Sequence, residues 1–261
     1  MQLTVDIGNS VISIALFADD KIVDVYATNT PKELHDNAPD NFAVVRPIIA
    51  AFKDHFKDVQ HYEKAIISSV VPKLNYPMAY VIKAELGVEP QLIFPNHKTS
   101  VTLDVERPET VGTDIIACAV GAYKFGEGPF IVIDLGTANK YFYVDDKHVF
   151  HGVAISPGVE VSLKGLVNNA AQLFDVPITL PAKVLGRNTI DALNSGLLYG
   201  LLSEMNGFIE LIKNEVGGNP KVLLTGGNAT HIKEVVPLTI KYVPFLVHYG
   251  LYDILVKSDE K

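Results

Sequence analysis

The sequence predicts an α/β protein built from two related domains, over residues 1–110 and 111–261. Three observations predict it: the length, an internal repeat, and the alternating helix and strand periods that follow each copy of the repeat. At 261 residues and 48% apolar content the chain can bury one large core or two modest ones, since domains usually run ~100 to 200 residues, and two is the expectation. The repeat pairs LTVDIGNSVISIALFADDKIVDVYA, from Leu3, with IVIDLGTANKYFYVDDKHVFHG, from Ile131. Each copy is an apolar strand ending in Asp, a D-x-G turn, a second β-rich run, an acidic D-D-K turn and a third run. Asp6 aligns with Asp134, Gly8 with Gly136, and Asp19-Asp20-Lys21 with Asp145-Asp146-Lys147. Self-similarity in this order marks a duplicated unit.

After the first copy the periodicity predicts a helix over 42–56, a buried strand over 64–70, a helix over 75–86 and a short strand over 91–94. A further helix begins in VGTDIIACAVGAY, next to the expected domain seam at 108–112. After the second copy a helix is expected over 161–167, then a long one beyond Asn188. There Leu198, Leu201, Leu202, Met205, Ile209, Ile212 and Val216 recur three and four residues apart. Asn188 with Asp191 resembles a capping box, and Gly217-Gly218 supplies a stop. KVLLTGG then reads as a strand entering a glycine turn, HIKEVV as helical, 239–243 as a strand, and the chain from His248 as a last helix. Meander, helix, strand, helix, strand thus occurs twice, and two such domains are expected to meet at a cleft.

Charge and composition narrow the function classes. Twenty-two Lys and Arg against 30 Asp and Glu give a net charge of −8 and a pI near 5.4. That is the wrong sign for gathering nucleic-acid phosphate nonspecifically, and a small-molecule ligand is expected instead. Cys118 is the single cysteine, so neither an intrachain disulfide nor a cysteine zinc site can form, which fits a reducing compartment. MQLTVDIGNS lacks the basic and apolar regions of a signal peptide, and no apolar run approaches the ~18 residues of a membrane helix. A cytoplasmic location without membrane or nucleic-acid partners is the expectation.

Two D-x-G turns at equivalent places suit a nucleotide polyphosphate. Glycine can turn with positive φ and bring backbone N–H groups close to phosphate, and Asn9, Ser10 and Thr137 add small polar donors. Asp6 would repel phosphate directly, so its expected role is to hold Mg²⁺ or water against it. VLLTGGNA, at 222–229, adds a third turn, Thr225-Gly226-Gly227, against which adenosine could lie. Taken singly, each motif also reads as an ordinary hairpin or helix-initiating turn. The candidate nucleotide-binding set is Asp6, Ile7, Gly8, Asn9, Ser10, Val11, Gly136, Thr137, Gly226 and Gly227.

In chain order, D-x-G-N-S, D-x-G-T-A and T-G-G resemble the phosphate, phosphate and adenosine motifs of the actin and sugar-kinase superfamily, whose domains are ribonuclease-H-like. More narrowly, VDIGNS, SSVVP, ERPETVGTD, IVIDLGTA, ISPGVEVS, LGRNT, SGLLYG, LLTGGNA and PFLVHYGLY resemble a type III pantothenate kinase over nearly the whole length. The resemblance implies transfer of the ATP γ-phosphate to the primary hydroxyl of pantothenate, the first step of coenzyme A synthesis. It implies a homodimer, Mg²⁺, and a monovalent cation such as K⁺ or NH₄⁺ beside Asp134. It makes Asp114, in a G-x-D motif, the catalytic base, and implies acceptor contacts from Val105, Gly112, Thr113, Asp114, Ile115 and Thr189. Such a base is chemically sound, since phosphoryl transfer asks mainly for alignment, charge neutralisation and a proton acceptor. A helix N-cap is the plain structural alternative for Asp114.

The departures from the family pattern cluster around the acceptor. Ile115 stands where the family has Arg, Val105 where it usually has Tyr, Asn139-Lys140 where it has a pair of threonines, and His151-Gly152 where it has two glycines; Ser10 replaces Thr. Lys140 could restore the charge lost at Ile115 or take the place of the monovalent cation near Asp134. Two other readings stay open at this level: a nucleotide-binding, catalytically weak paralogue with a regulatory role, and a kinase for a different small hydroxyl acceptor.

Overall fold

The computed structural model describes residues 1–36 and 38–257. In chain order its elements are β1 (Gln2–Ile7), β2 (Val11–Ala18), β3 (Lys21–Asn29), α1 (Phe42–His55), β4 (Lys64–Ser69), α2 (Pro72–Leu86), β5 (Pro90–Leu92), β6 (Thr102–Leu103) and α3 (Thr113–Ala122). Then come β7 (Phe130–Leu135), β8 (Ala138–Val144), β9 (Val149–Pro157), α4 (Val159–Asn169), α5 (Thr189–Val216), β10 (Lys221–Thr225), β11 (Ile240–Tyr242) and α6 (Leu246–Lys257).

The duplication read from the sequence is present in the strand order. One sheet runs β3-β2-β1-β4-β5; the other runs β9-β8-β7-β10-β11, the same order, with β6 added beyond β9. In both, the first strand is antiparallel to the second and parallel to the fourth. Asp6 stands opposite Ser13 on β2 and Ser68 on β4; Asp134 stands opposite Lys140 on β8 and Thr225 on β10. Ser13 and Lys140, and likewise Ser68 and Thr225, are therefore equivalent positions of the two sheets.

The compact units are not divided at one point. One comprises Met1–Thr102, Glu106–Phe125 and Leu246–Lys261; the other comprises Leu103–Val105 and Gly126–Phe245. A single break after residue 110 would have cut α3 and α6 away from the first sheet, on which they pack. The two helices cross where a Cβ on Gly250 would fall on the Ala117 carbonyl and one on Gly121 would lie 2.6 Å from the Leu246 carbonyl oxygen.

In the first unit Leu3, Val5 and Ile7 alternate onto the face covered by α1 and α2, where they join Ile49, Phe52, Met78 and Ile82. Phe52 is fully buried against the rings of Tyr26, Phe56 and Tyr62, and its truncation to Ala would cost about 3–5 kcal/mol. The opposite face carries Thr4, Asp6 and Ser13 toward α3 and α6. In the second unit Ile131, Ile133 and Leu135 pack on Leu198, Leu201 and Met205 of α5. The cap of α5 forms as expected, with Asn188 Oδ1 accepting from the Asp191 N–H at 2.8 Å.

Two local readings change. HIKEVV is not a helix: a 3₁₀ turn spans Gly227–His231 and irregular turns follow. Six residues cannot offset helix nucleation, and Pro237 steers the preceding residue out of the α region. The aligned D-D-K segments also fold differently. Asp19 and Asp20 both take positive φ in a two-residue hairpin turn, whereas Asp145 caps a longer turn by accepting the N–H groups of Lys147 and Val149.

Candidate active site

The first D-x-G turn lies in the first unit. Gly8 N–H is bonded to the Val11 carbonyl at 2.9 Å, so it shapes the turn and is not a donor for phosphate. Gly8 does not take positive φ; it is constrained because a Cβ would sit 3.0 Å from that same carbonyl oxygen. Thr30 clamps the turn from the next hairpin, its hydroxyl donating to the Gly8 carbonyl at 2.6 Å and its N–H to the Ser10 carbonyl at 2.9 Å. Asn9, Ser10 and Val11 are exposed at the tip, while the Ile7 side chain is wholly in the core and has only its backbone to offer. Asp6 is half-buried at the strand end.

Residues 112–115 belong to the same unit. Ser68 and Thr113 share a hydrogen bond at 3.0 Å, and Thr113 Oγ1 lies 3.2 Å from both the N–H and the carbonyl oxygen of Ser69. The start of α3 is thereby fixed to the end of β4, directly beside Asp6. Gly112 is the N-cap and Asp114 the second helical residue, so Asp114 is not the cap. Its Oδ1 accepts from the Ile115 N–H at 2.9 Å, and a Cβ at position 112 would fall on that oxygen. The Asp114 carboxylate is half-buried, whereas Thr113 and Ile115 are buried, at 5% and 6% exposure.

The second unit brings together the other two turns. Asp134 faces Thr225 across the parallel pair, and Asn228 Nδ2 donates to the Gly136 carbonyl at 2.9 Å. Gly226, at φ +93, passes so close that a Cβ would lie 2.6 Å from Asp134 Oδ1. Gly158 packs on the Gly136-Thr137 turn and donates its N–H to Thr137 at 3.0 Å. Thr137 and Gly227 are exposed, and Gly136, like Gly8, has no positive φ. Lys140 Nζ pairs with Asp134 Oδ2 at 2.7 Å, each side chain only 17% exposed. Val105, in a bend after β6, and Thr189, the exposed first residue of α5, also lie in this unit.

Some features escaped the sequence reading. His248 is fully buried between the Thr4 and Ser13 hydroxyls, at 2.7 and 2.8 Å, and burial pushes its pKa down to about 3, so the ring is neutral. Glu204 receives the hydroxyls of Tyr141 and Ser156, and burial followed by this carboxylate holds the Tyr141 phenol well above its usual range. Glu204 borders a groove of about 600 Å³ between α4 and α5, lined also by Asn139, Ser162, Gly196 and Gly200. Asn139 donates to the Pro157 carbonyl at 3.2 Å. No partner distance in the sequence points to Thr30, Ser68 or His248; only pairing of the strands brings them in.

Each unit thus carries a D-x-G turn and a strand-end carboxylate, and the first unit adds the half-buried Asp114 at a helix start. The family model described as type III pantothenate kinase matches residues 2–211. The chain belongs to the type III pantothenate kinase family. A type III pantothenate kinase from an Exiguobacterium species is 34% identical over 235 residues, 90% of each chain. Another, from Exiguobacterium sibiricum, is 34% identical over 252 residues, 96% of this chain and 97% of the relative. Among solved structures, a chain from Sinorhizobium meliloti described as a 2-dehydro-3-deoxygalactonokinase superposes with a TM-score of 0.57 at 14% identity, covering 97% of this chain and 95% of its own. At that identity the likeness speaks for the fold alone, the two-domain ribonuclease-H-like α/β architecture expected from the sequence. As a type III pantothenate kinase the chain is a phosphotransferase that uses ATP to phosphorylate pantothenate in coenzyme A biosynthesis.

Proposed function

We propose that in this reaction, transfer of the ATP γ-phosphoryl to the pantothenate primary hydroxyl, Asp114 accepts the proton of the attacking hydroxyl. The observation that carries this is the Asp114 carboxylate itself. It is half-buried on the first turn of α3, over a glycine that leaves room for it, in the unit that also holds Asp6 and the first turn. An oxygen held there can take a proton while the helix start keeps it in place. Exposed Asn9 and Ser10 in one unit, and exposed Thr137 in the other, are suited to donate hydrogen bonds to phosphate oxygens. Gly226 and Gly227 form the turn assigned to adenosine.

Asp6 is the residue that would hold Mg²⁺. Among the described residues no group of three or more His, Cys, Asp or Glu is placed to hold a metal. One hard carboxylate oxygen is nevertheless what a magnesium ion bound mainly through phosphate and water takes from a protein. When bound, the ion neutralises phosphate charge. The acceptor end is less conventional: Ile115 is buried, so no side chain at 115 reaches a ligand as a guanidinium would, and Thr113 is engaged with β4. Val105 and Thr189 remain the acceptor contacts of this reading. A homodimer in the cytoplasm completes it; among the described residues no helix is long and apolar enough to cross a membrane.

A coupled assay of ADP release, with and without pantothenate, tests the reading. Pantothenate-dependent release is expected, and the Asp114→Asn variant should lose at least about 10²-fold in kcat while still binding ATP. An unchanged rate in the variant would refute the base. Release only with another hydroxyl compound would refute the acceptor.

A further inference from the structure

The carboxylate of Asp134, expected from the resemblance to sit beside a monovalent cation, already has a cation of its own. Lys140 lies opposite Asp134 in the β7–β8 hairpin and brings Nζ to 2.7 Å from Oδ2. The other oxygen is walled by the Gly226 backbone, where even a Cβ would come to 2.6 Å. Both partners are only 17% exposed, so the pair is largely withdrawn from bulk water. Against a free K⁺ ion, whose coordination needs several oxygens at once, this donor set does not fit.

We infer that the Lys140 ammonium is a built-in replacement for the monovalent cation, positioning and neutralising Asp134 behind the Gly136-Thr137 turn without any ion from solution. An ammonium group and K⁺ carry the same charge, and an ammonium tethered by its own strand is present at unit effective occupancy whatever the salt. In the first sheet the position equivalent to Lys140 is Ser13, and Asp6 has no lysine opposite it. The substitution is thus confined to the second turn, where a bare carboxylate next to phosphate would be repulsive. Lys140 acts here through Asp134 as a positioning residue. This inference rests on the kinase reading, in which the turn receives phosphate.

The test compares wild type, Lys140→Ala and Lys140→Met in KCl, NH₄Cl, NaCl and choline chloride at constant ionic strength. Two readouts are used: the ADP-release rate, and the thermal midpoint without pantothenate. For wild type, rates should agree within about twofold across the salts, well short of the tenfold that corresponds to ~1.4 kcal/mol, and the midpoint should not respond to K⁺. In choline the variants should lose about tenfold or more, K⁺ or NH₄⁺ should restore most of it, and K⁺ should raise their midpoint. Lys140→Met keeps the apolar stem, which guards against a folding defect in the alanine variant. Strong K⁺ activation of wild type would overturn the inference. So would variants that run at the wild-type rate in choline with no K⁺ response in either readout. If no protein phosphorylates pantothenate yet K⁺ raises the midpoint of the variants alone, the built-in cation stands and the acceptor assignment falls.

Discussion

Ser68 and Thr113, 45 positions apart in sequence, share a buried hydrogen bond at 3.0 Å that fixes the first turn of α3 to the end of β4. It ties the start of the helix that carries the proposed base to the strand beside β1, which leads into the first D-x-G turn. Position 68 is the β4 residue opposite Asp6, and position 113 immediately precedes Asp114.

Thr113→Val keeps the shape and removes the hydroxyl, leaving Ser68 and the Ser69 backbone short of a partner. It should cost about 1–3 kcal/mol, seen as a lower urea midpoint with an unchanged m value. It should also reduce kcat more than it raises KM for ATP, because it loosens the base and leaves the Asn9-Ser10 tip intact. Unchanged kcat with lowered stability would make the contact structural only.

The two glycines of the T-G-G turn should behave oppositely. Gly226 has φ +93, and a Cβ there would run into Leu135 and Asp134; around Gly227 there is open space. Gly226→Ala should lose at least about 2 kcal/mol, from backbone strain and overpacking together, and should displace Asp134. Gly227→Ala should stay within about 0.5 kcal/mol. Thermal or urea denaturation of the pair decides it, and equal effects would contradict the assigned geometry.

His248 makes stability fall with acid. Its ring is held neutral, at about 3, against 6.5 in an ordinary site, so below pH 6.5 the unfolded chain takes a proton that the folded chain refuses. The contribution is full above pH 6.5 and is lost progressively as pH falls toward 3. Between pH 7.5 and pH 5 the loss should be about 2 kcal/mol. His248→Gln, which can still bond to Thr4 and Ser13, should flatten that part of the pH dependence when urea midpoints are compared. A slope identical to wild type would show that other groups cause it.

Much of the fold was legible because its signals are short-range. Strand alternation, the longer helix periods, the Asn188 cap and the D-x-G repeat are properties of neighbouring residues, and these hold. The Lys140–Asp134 pair was also within reach, since a tight hairpin sets that register by itself. Glycine permits positive φ, yet neither Gly8 nor Gly136 uses it; Gly8 is constrained instead by the Val11 carbonyl, which a Cβ would meet at 3.0 Å. HIKEVV has helical spacing but is too short to act on it.

The sequence by itself determined that the chain is duplicated, which residues make the two D-x-G turns and the T-G-G turn, and that their family is the type III pantothenate kinases. Only the tertiary structure decided that α3 and α6 belong to the first unit, that Thr30 clamps the first turn, that Thr113 anchors to β4, and that His248 lies buried 244 positions from Thr4. Local backbone preference is written in adjacent side chains, whereas a hydrogen bond between distant residues exists only once sheet register and helix packing have removed both partners from water.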